Sequence, residues 1–104
     1  MTNMKFFGFS PTHPGEVLKD EIEYRKLSQN TLAKQMGLSY KILNDILNEH
    51  RPVTTTTAMM FEAALGIPAY SLINIQTEYN LQMASRDQSL AERLDKIRKT
   101  VDVF

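Results

Sequence analysis

Residues 28–48 constrain this chain more than any other stretch. They read Ser28-Gln29-Asn30-Thr31-Leu32-Ala33-Lys34-Gln35-Met36-Gly37-Leu38-Ser39-Tyr40-Lys41-Ile42-Leu43-Asn44-Asp45-Ile46-Leu47-Asn48. Ser28 is an N-cap, since its hydroxyl can accept from a free backbone N–H one turn in. Leu32, Ala33 and Met36 then share one helical face. Gly37 supplies the left-handed residue that ends a helix. Ser39 caps a second helix, whose apolar face is Leu43, Ile46 and Leu47. Small Ala33 lets the two helices cross closely. This is the pattern of a helix-turn-helix, a unit that can offer its second helix to a DNA major groove. The same shape also arises from plain helix packing, so shape alone leaves DNA binding open.

The flanking sequence is helical too. Residues 1–10, with Phe6, Phe7 and Phe9 around Gly8, read as an extended aromatic arm. Pro14 suits the first turn of a helix, where its missing N–H costs nothing. That helix runs to about Lys26, with Val17, Leu18 and Ile22 inward and Asp20, Glu21, Glu23 and Arg25 outward. Glu21 and Arg25 form a favourable i,i+4 pair. After the loop Glu49-His50-Arg51-Pro52, Thr54 caps a fourth helix that turns Ala58, Phe61 and Leu65 inward and stops at Gly66, before Pro68. Met36, Met59 and Met60 read as core or near-core. A fifth helix, from about Ala69 to Ser85, carries apolar residues on more than one face, so more than one face must be covered. One face suits the core. The other, with Leu72, Ile75, Tyr79 and Met83, suits a partner subunit. Ser89 and Glu92 have capping-box spacing. Leu90, Leu94, Ile97 and Val101 then repeat at 4, 3, 4, a heptad seam too short to stand alone. The expected organisation is an arm at 1–10, a helix-turn-helix domain at 11–85 and an amphipathic helix at 86–104.

Placed on a helix, Tyr40–Asn48 turns Lys41, Asn44, Asp45 and Asn48 away from the core, with Tyr40 and Ile42 on the flanks. Asparagine can bond an adenine edge, lysine a guanine, and Ile42 can touch a thymine methyl. Asp45 is discordant beside phosphates unless it pairs with Lys41. Gln29 and Asn30 open the first helix of the motif, where free N–H groups favour an anion. Arg51, Thr54 and Thr55 lie ready to grip the backbone on the other side. With Ser39, these residues are the candidate DNA contacts.

Charge restrains that reading. Twelve basic residues balance twelve acidic ones, so no global positive field attracts nucleic acid. Between Leu27 and Thr57, Lys34, Lys41 and Arg51 face only Asp45 and Glu49. Affinity must lean on neutral donors, helix N-termini and dimerisation. The chain has no cysteine, which excludes disulfides and thiolate metal sites and suits a reducing compartment. No apolar run approaches a membrane span or a signal-peptide core, so a cytoplasmic protein without membrane contact is expected. His13 and Glu16 stand at i,i+3 without a third ligand, so no metal or other cofactor is expected. Paired histidines, a phosphate loop and a nucleophile motif are all missing, which makes an enzyme the least favoured reading.

Several boxes together carry a family resemblance. They are His13-Pro14-Gly15-Glu16-Val17-Leu18, Leu27-Ser28-Gln29 with Leu32-Ala33, Ile46-Leu47-Asn48 with Arg51-Pro52-Val53-Thr54, Ala64-Leu65-Gly66, and Asn74-Ile75-Gln76 with Tyr79. Over about residues 11–85 this succession resembles the HigA-type antitoxins, also known as virulence-associated protein I, among the Xre/Cro-like helix-turn-helix proteins. The resemblance implies an all-α, five-helix, lambda-repressor-like DNA-binding domain, here with an additional C-terminal helix. It implies a homodimer formed through the C-terminal part, double-stranded operator DNA as ligand, and a cognate toxin that cleaves mRNA. It also places Gln29, Ser39, Tyr40, Lys41, Asn44 and Asn48 at positions that meet DNA. The chain departs from the pattern at Leu72, where tryptophan is usual, at Glu49-His50, where glycine often follows the asparagine, and at the bulky Tyr40 and Ile42.

The expected function is therefore an antitoxin that neutralises its toxin and represses its own operon. A stand-alone repressor without a toxin is the alternative, and a protein-interaction module that no longer touches DNA is a third reading. The toxin should be basic, which makes the acidic face Asp20, Glu21 and Glu23 its candidate dock.

Overall fold

The computed structural model describes residues 11–103, so the aromatic-arm expectation for residues 1–10 lies outside it. Six helices follow one another: α1 (Pro14–Tyr24), α2 (Gln29–Met36), α3 (Tyr40–Leu47), α4 (Thr55–Leu65), α5 (Ala69–Ala84) and α6 (Gln88–Val103). The described residues contain no strand. The all-α class follows from local chemistry that repeats at the starts of α2, α3 and α4. Ser28, Ser39 and Thr54 accept from the N–H groups of Thr31, Ile42 and Thr57. Thr57 returns the bond to the Thr54 N–H at 2.8 Å and closes a capping box.

Three helices end in the same way. The N–H of Leu27, Leu38 and His50 reaches back five residues to the carbonyl of Ile22, Ala33 and Asp45, and the residue before it bonds three residues back. This Schellman ending needs one left-handed residue. Gly37 takes that place after α2, with φ 71°. Lys26 (φ 57°) and Glu49 (φ 67°) take it after α1 and α3, without a glycine's freedom. Because Lys26 is left-handed, α1 stops at Tyr24 rather than near Lys26.

The described residues divide into two units, 12–77 and, with Pro11, 78–103. In the first, α3 packs on α1 and α2, and α2 packs on α4. Leu18, Ile22, Leu32, Ala33, Met36, Leu43, Ile46, Leu47, Val53, Ala58, Phe61, Leu65 and Leu72 form one buried core. It includes every residue that the two helices of the motif are expected to bury.

Two inward assignments are corrected. Val17 is 36% exposed, because α1 faces the core along Pro14, Leu18 and Ile22 and Val17 lies about 100° off that stripe. Met59 is 61% exposed, one position beyond buried Ala58. From Ala58 to Leu65 α4 is apolar except at Glu62, so periodicity could not separate its two sides.

In the second unit no side chain from Glu78 to Val101 is buried. Leu81, Met83, Leu94, Ile97 and Val101 all remain exposed. The start of α6 differs from the expected capping box. The Asp87 carboxylate, not Ser89, accepts from the N–H groups of Ser89 (2.9 Å) and Leu90 (3.2 Å). A carboxylate also suits the positive end of the helix dipole.

Candidate nucleic-acid interface

α3 owes its placement to two boxes that lie outside it in sequence. His13 Nδ1 accepts from the Gly15 N–H at 2.9 Å and caps α1. Pro14 fills the next position, and Glu16 puts a carboxylate in the first turn. Gly15 lies against the carbonyl of Ile46, near the end of α3, where a Cβ would collide with that oxygen. His-Pro-Gly-Glu is thus a cap, a rigid first turn and a hydrogen in place of a side chain. Together they let α1 approach the back of α3. At the other end, Gln76 Oε1 accepts from the Val53 N–H at 2.7 Å, inside the core. That bond holds the segment leading from α3 into α4 and explains the glutamine of Asn74-Ile75-Gln76.

The polar face of α3 carries two connected groups. In one, Asn44 Nδ2 donates to Gln29 Oε1 at 3.3 Å and to the Tyr40 hydroxyl at 3.5 Å. Asn48 Nδ2 donates to Asn44 Oδ1 at 3.1 Å and to the Asn44 carbonyl at 3.0 Å. In the other, Asp45 Oδ2 takes Lys41 Nζ at 3.1 Å and lies 3.9 Å from an Arg51 nitrogen. Asp45 is the less exposed partner in both pairs. The aspartate is therefore held between two cations instead of standing bare on this face.

The candidate contacts thus separate. Gln29, Tyr40, Asn44 and Asn48 are joined by hydrogen bonds, and Lys41 and Arg51 share Asp45. Asn30 and Thr55 are exposed in the first turns of α2 and α4. Ser39 and Thr54 spend their hydroxyls on capping. Ile42 is half-buried against the core, which leaves only part of it for a base edge. Leu72 is corrected outright. It is fully buried in the chain's own core and has no surface to give a partner. The inward stripe of α5 is Leu72 and Gln76, one turn apart. Ile75 and Tyr79 are half-buried, and Met83 is 46% exposed.

Lys19 is the residue that sequence reasoning missed. Its Nζ donates to Asn48 Oδ1 at 3.4 Å and brings α1 onto this face. Its position follows from Gly15, which stands one turn earlier on the side of α1 that approaches α3.

Among the described residues no group of three acidic or histidine side chains could hold a metal ion. None of their helices is long and apolar enough to cross a membrane.

The helix-turn-helix family pattern matches residues 18–72. Virulence-associated protein I of Dichelobacter nodosus is 39% identical over 77 residues, which span 73% of this chain and 71% of that protein. The chain belongs to the HigA-type, virulence-associated protein I-like helix-turn-helix proteins. Solved HigA-type structures share the fold. An addiction module antidote protein of the HigA family from Coxiella burnetii superposes with a TM-score of 0.71 at 33% identity, covering 88% of this chain and 95% of that one. The Pseudomonas aeruginosa antitoxin HigA, solved with the higBA promoter, gives a TM-score of 0.68 at 33% identity over 71% of this chain and 82% of that one.

Proposed function

We propose that this HigA-type chain is a cytoplasmic antitoxin that binds operator DNA as a homodimer, represses its own operon and neutralises a paired mRNA-cleaving toxin. It works by binding, not by catalysis. The observation that carries the reading is the polar face of α3, braced from behind by the His13–Glu16 box, in a chain whose relative from Pseudomonas aeruginosa was solved with promoter DNA. Gln29, Tyr40, Lys41, Asn44 and Asn48 meet base edges or nearby phosphates. Asn30, Arg51, Thr55 and the N-termini of α2 and α4 hold the backbone. Two-fold symmetry then sets half-sites about 10 base pairs apart.

The second unit supplies the dimer. A helical pair without a buried side chain cannot stabilise itself, since chains this short need a partner to complete a core. Tyr79 and Met83, with Ile75, lie on the α5 surface that a second copy covers. The toxin docks on the acidic side of α1. There Glu21 is tied to Arg25 at 2.6 Å, so the charges left for a basic partner are those of Asp20 and Glu23.

The deciding experiment substitutes Lys41→Ala and Asn44→Ala together. The expected variant neutralises the toxin in co-expression and keeps the wild-type circular dichroism, yet no longer shifts the operator. Unchanged operator binding would remove α3 from the interface.

A further inference from the structure

The amide groups on the DNA face form a directed chain. Lys19 Nζ can only donate, and it donates to Asn48 Oδ1. That leaves Asn48 Nδ2 to donate onward, to Asn44 Oδ1 and to the Asn44 carbonyl, which can only accept. Asn44 is then committed as well. Its oxygen faces Asn48 and its nitrogen faces Gln29 Oε1 and the Tyr40 hydroxyl. Gln29 receives that bond on its oxygen, and its Nε2 has no partner among the described residues. The Asn44 carbonyl orients Asn48, Lys19 holds the other end of that amide in the same sense, and the group left over at the end of the chain is a donor.

We infer that Lys19 is a positioning residue for DNA reading: it pins the Asn48 amide that the Asn44 carbonyl orients, and so steadies the Gln29 amide with its nitrogen available, so the site prefers a guanine edge. Guanine offers two acceptors, N7 and O6, in the major groove, where adenine puts an N6 donor beside N7. Lys19 is the one member of the relay that lies outside the helix-turn-helix. Without it the exposed Asn48 oxygen turns to water, and the chain of amides loses its anchor on α1. The inference rests on the proposal that α3 and the start of α2 bind DNA.

The test is selection from a library of double-stranded DNA with randomised half-sites, using the full-length wild type, Lys19→Met and Lys19→Arg. Methionine keeps the aliphatic stem and removes the donor, while arginine restores it. The wild type should select a guanine at one position of each half-site by about tenfold over adenine. Lys19→Met should weaken that preference at an unchanged melting temperature, and Lys19→Arg should keep it. A lysine that simply neutralised a phosphate would behave differently. Lys19→Met would then weaken all sequences evenly and flatten the salt dependence, by about 0.9 for each phosphate no longer neutralised. An unaltered base preference, or a change confined to other positions, overturns the inference. If the wild type selects no sequence at all, the DNA-binding proposal itself fails.

Discussion

Gly15→Ala sets two physical effects against each other, and only one sign of the result is compatible with this structure. Gly15 lies in the first turn of α1, without a positive φ. Helix propensity alone favours alanine there by about 1 kcal/mol. The new methyl, however, collides with the Ile46 carbonyl oxygen and comes within 3.1 Å of its carbon and 3.0 Å of His13 Nδ1. None of these is the loose end of a side chain. Two are backbone atoms of α3 and the third is the cap of α1, so relief requires the helices to part. Overpacking costs about 1–3 kcal/mol, and rigid backbone belongs at the upper end. With the propensity gain subtracted, Gly15→Ala should destabilise by about 2 kcal/mol. That is about 10 °C for a domain of this size. Thermal melts followed by circular dichroism measure it, and an operator titration should show weaker binding, because the displaced helix is the proposed reading head. If the alanine variant melts at or above the wild type, α1 does not approach α3 in this way.

Three further perturbations probe the same scaffold. Burial holds the His13 imidazole below its ordinary value, and the Glu49 carboxylate offsets this only in part; the unfolded chain protonates near pH 6.5, so stability in urea should be full above that pH and fall as pH drops below it, a slope that His13→Asn should abolish while keeping the cap. Gln76→Leu strands the buried Val53 N–H and should cost about 1–3 kcal/mol in urea unfolding, whereas an unchanged midpoint would mean that the bond holds nothing. Glu49 has φ 67° after α3, so Glu49→Gly should raise stability by up to about 1 kcal/mol and, by removing the carboxylate, push the His13 pKa lower still; a loss of stability would show that the Glu49 side chain has a stabilising role.

Much of the helix-turn-helix was legible because its signals are local. Ser28, Ser39 and Thr54 cap whatever helix follows them, and Gly37 and Gly66 end whatever helix precedes them. That Lys26 and Glu49 would be the left-handed residues after α1 and α3 was not legible, since the Schellman geometry there is held by backbone bonds and packing with no glycine to announce it. Met59 and Val17 failed for another reason. An apolar residue at the edge of a stripe has no local mark of which neighbour will cover it, least of all in α4, where Ala58 to Phe61 is an unbroken apolar run. Leu72 erred in the opposite direction. α5 has too many apolar positions to show which of them faces its own core, and buried Gln76, a polar residue, is what marks that side. The His-Pro-Gly-Glu box could be recognised but not explained from sequence, because the role of Gly15 is an absence of atoms beside a carbonyl 31 positions away. Lys19 was hidden for the same reason, since it reaches the polar face of α3 only by way of that approach of α1 to α3.

Neutral net charge, which weighs against DNA binding when only the sequence is considered, becomes a measurable property once Asp45 is placed. Lys41 and Arg51 both lie against its carboxylate. The three groups together present one positive charge per protomer, two on the proposed dimer. The logarithm of the operator-binding constant should therefore fall against the logarithm of salt with a slope of only about −2 from these residues. Asp45→Asn frees both cations and should steepen that contribution to about −4, with tighter binding to unrelated DNA at low salt and a smaller gap between operator and competitor. The exchange separates the two roles open to an aspartate on a reading helix. If Asp45 accepted from a cytosine amino group, its loss would weaken operator binding and leave unrelated DNA unaffected. If it restrains its two neighbours, unrelated DNA gains most. The second outcome is expected, because the carboxylate is already held by Lys41 at 3.1 Å and is largely withdrawn from solvent. A weaker operator complex with an unchanged salt slope would refute it. On this reading the chain keeps its charge low so that contacts to bases, rather than to the phosphate chain that every sequence shares, decide where it binds.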